Sequence, residues 1–191
     1  MQVNLIILLA IAMGIAVIED IRRLKIPNWV TYPTMLLAII THGITGGLDE
    51  LLFSAGGLAM GIGLFILPYL MGVMGAGDAK LMGAAGAILG PEGIIASSVM
   101  VVLVGGVYGA VLLVLDRHYA VSAVRRLWGT IKTLLLTKNL IIVPPDKEEN
   151  KPVLRYAIPI AVGTFSYVAV ELNGYDLFVR LFGVHFGIFI S

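Results

Sequence analysis

Two aspartates carry the strongest chemical suggestion in the chain: Asp20, in Ile18-Glu-Asp-Ile-Arg-Arg23, and Asp78, in Met74-Gly-Ala-Gly-Asp-Ala-Lys80. Each borders a strongly apolar stretch, and a carboxylate at membrane depth is costly enough to be a functional candidate by default. Asp20 closes its stretch, and an acid at a helix C-terminus opposes the macrodipole, so a purely structural role gives little reason for it. A juxtamembrane charge balanced by Arg22 and Arg23 is the bland alternative. Glu19 is a rival carboxylate pointing about 100° around the same helix, and composition does not choose between the two. Asp78 reads as an N-cap for a helix starting at Ala79. The glycines before it permit something further. Without a Cβ at Gly75 and Gly77, an extended peptide could approach the Asp78 carboxylate, making this a substrate-approach loop.

Two carboxylates brought face to face give a definite chemistry. Like charges a few ångströms apart do not both ionise easily, so the pair holds one proton between them. The ionised partner takes a proton from water while the protonated one donates to a scissile carbonyl. Such a pair titrates as a unit. It needs no metal and no cofactor, and it forms no covalent intermediate. Other chemistries find less support. His42, His118 and His185 are far apart, with no His-Glu-x-x-His helix to hold zinc. Ser97-Ser98 lies in an apolar stretch without a Gly-x-Ser-x-Gly turn and reads as packing. No Walker loop or dinucleotide fingerprint is present. With no cysteine, disulfides and thiolate zinc sites are excluded.

The elements that must position these acids are membrane helices. Hydrophobic residues make up 59% of the chain and charged residues 13%, against roughly 45–50% and about 25% in soluble domains. Apolar stretches fall at 4–19, 29–42, 51–72, 79–90, 93–115 and 153–171, with a further one at 177–190 that carries Arg180 and His185. The expected fold is all-α, a single membrane-embedded domain over 1–191 with about six transmembrane helices. The stretch 79–90 is too short to cross a bilayer alone, so it is either extended by its neighbours or preceded by a re-entrant segment near Gly72–Asp78. No Lys or Arg precedes Arg22, so the N-terminus lacks the basic region of a cleavable signal and reads as a retained first span.

Basic residues give an orientation. Arg22, Arg23 and Lys25 occupy the first connection, and Arg117, Arg125, Arg126, Lys132, Lys138, Lys147 and Lys151 occupy the long one from Asp116 to Pro152. The connections around Gly43–Glu50, Pro91–Glu92 and Asn173–Asp176 contain none. The positive-inside rule then places the N-terminus outside and both Asp20 and Asp78 at the cytoplasmic face of the plasma or inner membrane. Residues 118–137 alternate apolar and basic stripes at helical spacing, as in an amphipathic helix lying in the cytoplasmic interface, and a proline-bracketed charged linker follows at 143–152. Glycine pairs at four-residue spacing (Gly57/Gly61, Gly86/Gly90, Gly105/Gly109) fit close helix packing. A net charge of +1 and the lack of an arginine-rich surface give no sign of a nucleic-acid partner.

The motifs resemble those of a known family. Asp20-Ile-Arg-Arg-Leu-Lys-Ile-Pro-Asn28 is similar to the first active-site motif of type IV prepilin peptidases, and Gly75-Ala-Gly-Asp-Ala-Lys-Leu81 to their second, Gly-x-Gly-Asp followed by Lys-Leu. Tyr156-Ala-Ile-Pro-Ile-Ala-Val-Gly163 resembles a later span, so the likeness covers roughly 4–171. It implies an aspartic endopeptidase that removes a short basic leader from prepilin-like substrates at the cytoplasmic face, with Asp20 and Asp78 as the catalytic pair and Glu19 excluded. The larger members' cysteine-containing insertion and methyltransferase region have no counterpart here, which implies cleavage without methylation. That brevity is similar to the Tad/Flp-pilus type, which the Ile-Pro-Asn-Trp stretch favours, and to archaeal preflagellin peptidases. From a different class, a small ion- or proton-coupled transporter would also use membrane acids, but near the midplane. A noncatalytic pilus-assembly scaffold would need neither acid.

Overall fold

The computed structural model describes residues 2–71, 74–115, 155–174 and 177–183, all helix or short connection. Five helices follow in order: α1 (Val3–Arg23), α2 (Asn28–Leu70), α3 (Ala76–Leu115), α4 (Ala157–Leu172) and α5 (Leu177–Phe182). Three of them, Val3–Arg23, Asn28–Leu70 and Ala76–Leu112, are long and apolar enough to cross a membrane. The residues divide into two compact units, 1–105 with 155–191, and 106–154. The first contains both aspartates. In the second, 106–115 form the end of α3, and the expected interfacial helix at 118–137 and the linker at 143–152 lie outside the described residues. So does 184–190, the second half of the stretch 177–190, whose described first half contains α5.

Two glycines break the long helices. Gly47 has φ 70° and ψ −147° inside α2, and Gly90 has φ 74° and ψ 179° inside α3. Positive φ strains an L side chain, and glycine alone adopts it without that cost. The breaks leave helical arms at 28–46, 48–70, 76–89 and 91–115. With α1 and α4 these make six apolar helical segments, close to the six stretches read from hydropathy. The expected connection at Gly43–Glu50 shrinks to the single residue Gly47. The short stretch 79–90 gains three residues at its start, beginning at Ala76 rather than Ala79, and ends at the Gly90 break. Pro91 immediately follows Gly90, a position where its missing N–H costs nothing because the first turn of a helix has no partner for it.

Cross-helix contacts set how the arms lie. His42 and Glu50 would stand about 12 Å apart along a straight helix, yet His42 Nδ1 lies 2.6 Å from Glu50 Oε2, so the chain turns back at Gly47. The other ring nitrogen of the buried His42 faces the Ile88 carbonyl at 3.3 Å, joining this turn to the end of arm 76–89. Arms 48–70 and 76–89 then run in backbone contact. A Cβ at Gly57 would run into the Gly86 carbonyl and the Gly90 backbone, and one at Gly61 into Met82 and Gly83. Gly163 of α4 meets the Val101 backbone in the same way. The pair Gly105/Gly109 shows no such approach at Gly105, where a Cβ would find Pro159 at an ordinary 3.8 Å.

Both faces of α1 are apolar, and only packing distinguishes them. Leu5, Leu9, Met13, Ala16 and Asp20 form one buried stripe at helical spacing, while Ile7, Ile11, Ile18 and Ile21 are exposed on the other side. In a membrane that outer face is solvated by lipid rather than water.

Glycine-to-glycine backbone contact makes a sharp stability prediction. Gly57→Leu should destabilise the protein by about 1–3 kcal/mol or more, because backbone rather than side chain must move, and this should show as a lower thermal unfolding temperature in detergent. Gly63→Ala, at a position with nothing within 4 Å, should change it little.

Candidate active site

The first motif is built by the way α1 ends. Leu24 takes left-handed φ/ψ of 55° and 34°, and its N–H bonds the Asp20 carbonyl at 3.0 Å, a C-terminal cap closed by a residue other than glycine. The chain leaves the helix there, and Pro27 in extended conformation starts α2 at Asn28. Asp20 continues the buried stripe of α1 and is only 7% exposed. Glu19 points elsewhere and pairs with Arg23, one turn on, at 3.3 Å.

Asp20 finds its partner on another helix. The Ala157 N–H, at the first residue of α4, donates to Asp20 Oδ2 at 3.2 Å. The opening amides of a helix have no intrahelical acceptor, and the N-cap residue of α4, Tyr156, makes no side-chain capping hydrogen bond to them. A carboxylate from α1 fills that place and gains the positive end of the α4 dipole, offsetting the unfavourable end of its own. Arg155, just ahead of α4, lies near enough for its charge to act on Asp20.

Asp78 is also 7% exposed. It is not the N-cap of a helix starting at Ala79. The helix begins at Ala76, so Asp78 lies in its first turn, three residues after Gly75. The Gly75 N–H donates to Asp78 Oδ2 at 2.8 Å, and the Asp78 N–H donates to the Gly75 carbonyl at 3.1 Å. This is the reach-back half of a capping box, formed when an acid three positions into a helix bonds the amide before it. The expected N-cap role of Asp78 is therefore replaced by a bond that reaches back to the amide before the helix.

The two motifs interlock. A Cβ at Gly77 would stand 3.0 Å from Ile26 Cβ, so the start of α3 presses on the connection between α1 and α2 through a residue that must stay small. Gly77 therefore has a packing reason beside its expected role in substrate approach, whereas Gly75 is exposed and donates to Asp78. One turn on, Lys80 Nζ donates to Asn28 Oδ1 at 2.9 Å and lies 5.0 Å above the Tyr32 ring. These contacts bring Asp20 and Asp78 to one end of the bundle, close enough for the charge on Asp20 to act on Asp78. The far end is marked by Gln2 Nε2 donating to Thr45 Oγ1 at 2.9 Å, some 27 Å from Asp20 along α1. Among the described residues no hydrogen bond joins the two carboxyl groups, and no cluster of His, Cys, Asp and Glu forms a metal site.

The profile of the Type IV leader peptidase family matches residues 7–114, more than half of the chain. The chain belongs to this family. The family match takes in both motifs and all four arms of α2 and α3. It stops before Tyr156–Gly163, so it covers less of the chain than the resemblance read from motifs. No curated protein and no solved structure matches the chain. Three residues of the candidate active site, Ala157, Arg155 and Tyr32, were missed by reading the sequence. Ala157 acts through its backbone amide, which no residue type signals. Arg155 is remote in sequence from either aspartate. Tyr32 lies just past the first motif, where an aromatic at the start of an apolar helix reads as an interfacial anchor.

The amide bonds predict a graded stability effect. Asp20→Asn and Asp78→Asn keep an acceptor oxygen and should unfold within about 1 kcal/mol of the parent. Asp20→Leu leaves the Ala157 N–H unpaired in a buried place and should cost about 1–3 kcal/mol, read by thermal or denaturant unfolding in detergent.

Proposed function

We propose that this family member is an aspartic endopeptidase that removes the leader peptide of type IV prepilin-like substrates, of the Tad/Flp type, at the cytoplasmic face of the membrane. The single observation that supports this most strongly is the interlocking of the two motifs, which gathers both buried aspartates at one end of the bundle. In this reading Asp20 and Asp78 share one proton. The ionised carboxylate accepts a proton from water as the oxygen attacks the scissile carbonyl carbon, and the protonated one donates to the carbonyl oxygen. The tetrahedral diol then collapses: one of its hydroxyls returns a proton to the newly ionised carboxylate as the carbonyl re-forms, the C–N bond breaks, and the other carboxyl passes its proton to the departing nitrogen, which leaves the pair again with one proton. Acid and base belong to the pair rather than to one residue. The segment cut must be extended to enter, and the exposed Gly75, next to the Asp78 carboxylate, is where such a backbone could come near.

Orientation in this reading follows the basic residues. Arg22, Arg23 and Lys25 are exposed beside Asp20, and the opposite end, around Gly47, carries no Lys or Arg. With six spans and the N-terminus outside, the aspartates face the cytoplasm.

Purified protein mixed with a prepilin-like peptide should yield the shortened product, and Asp20→Asn or Asp78→Asn should lower the rate by about 10³-fold or more while the protein stays folded. Cleavage retained in the double Asn variant would reject the two-aspartate mechanism. Topology has its own test, because the chain contains no native cysteine. In intact cells a membrane-impermeant thiol reagent should label Thr45→Cys and reach Lys25→Cys only after lysis. The reverse pattern would place the aspartates outside.

A further inference from the structure

Lys80 stands two residues beyond Asp78, and the mechanism above makes no use of it. Successive residues turn about 100° around a helix, so Asp78 and Lys80 project about 200° apart, onto nearly opposite sides of the first turns of α3. One side carries the carboxylate. The other carries an ammonium held at two points on α2: the Asn28 side-chain oxygen at 2.9 Å and the face of Tyr32 at 5.0 Å. Between them Gly77 rests on Ile26 without room for a side chain. A helix pressed at one point can still roll about its axis, and a second attachment on a different side stops the roll. Among the described residues, the other polar contacts on this turn are the two bonds between Asp78 and Gly75, which lie within the turn itself and move with it.

We propose that Lys80 is a positioning residue: its latch onto Asn28 and Tyr32 sets the rotation of the α3 N-terminus and so aims Asp78 toward Asp20. The ammonium touches neither carboxylate in this arrangement. Its effect reaches the reaction through the direction of Asp78 alone. Arginine could keep the latch, since its guanidinium also donates to an amide oxygen and stacks on an aromatic ring. Methionine keeps the length and loses both contacts.

Two readouts test this, one resting on the peptidase reading and one independent of it. The cysteine-free chain allows Asp20→Cys with Asp78→Cys, and the rate at which a short bifunctional thiol reagent joins them reports how the two positions face each other. Adding Lys80→Met should slow that crosslinking several-fold, and Lys80→Arg should restore most of it. In the chain with both aspartates intact, Lys80→Met should lower kcat on the prepilin-like peptide about 10-fold or more with KM within about threefold, the pattern of a lost transition-state arrangement. Asn28→Ala should act alike, and the Lys80→Met/Asn28→Ala double variant should be no worse than either alone, because the two share one interaction. If Lys80→Met does not fold, Asn28→Ala and Lys80→Arg carry the test. Crosslinking and kcat unchanged by loss of the latch, additive effects of the two substitutions, or a change in KM alone would overturn the proposal. A parent chain that cleaves nothing, yet crosslinks in a Lys80-dependent way, would overturn the peptidase reading and uphold the positioning role.

Discussion

A carboxylate taken out of water must find donors, and here both find them at the start of a helix. Asp78 accepts from the amide just before α3, and Asp20 accepts from the first amide of α4. Helix starts are the natural places for this, since their amides have no partner of their own and the dipole there is positive. The cost of burying each acid is met by a group that is itself in need of a partner. For Asp78 the arrangement is local and comes with the turn. For Asp20 it is tertiary, joining the end of α1 to the beginning of α4 across more than a hundred residues of sequence. Both bonds use a single carboxylate oxygen, Oδ2, and so restrain the carboxyl group without occupying all of it.

Around that constraint the rest of the first unit becomes intelligible. The left-handed turn at Leu24 ends α1 one turn after its aspartate and leads the chain to Ile26 and Asn28, which meet the second motif at Gly77 and Lys80. Gly77 allows the two motifs to touch, and Lys80 spans them. Farther along, Gly57, Gly61, Gly86 and Gly90 bring arms 48–70 and 76–89 into backbone contact, and the turns at Gly47 and Gly90 are tied through His42 to Glu50 and Ile88. Lipid offers apolar side chains nothing less than a protein interior does, so small residues and hydrogen bonds carry the specificity of packing.

Much of this was legible in the residues themselves. Hydropathy located six apolar helical segments to within a few residues, because length and apolar content are what a membrane demands of a helix. The two motifs singled out Asp20 and Asp78, and glycine spacing correctly pointed to Gly57/Gly61 and Gly86/Gly90. What stayed hidden has physical reasons. The buried stripe of α1 does not show in its sequence, since Ile7 and Ile11 are as apolar as Leu5 and Leu9, and only three-dimensional packing separates lipid-facing from buried. The bond from Ala157 to Asp20 is made by backbone and leaves no trace in residue type. The start of α3 was read three residues late because Asp after glycine looks like a cap, whereas its side chain reaches backward instead of forward.

The account stands on the convergence of positions 20 and 78 at one end of the bundle. Spin labels on Asp20→Cys and Asp78→Cys, measured in lipid by electron paramagnetic resonance, test it directly. Dipolar broadening from labels within about 20 Å is the result expected of side chains on one membrane face. A separation approaching the roughly 30 Å of the hydrocarbon core would place the two acids on opposite sides and contradict it.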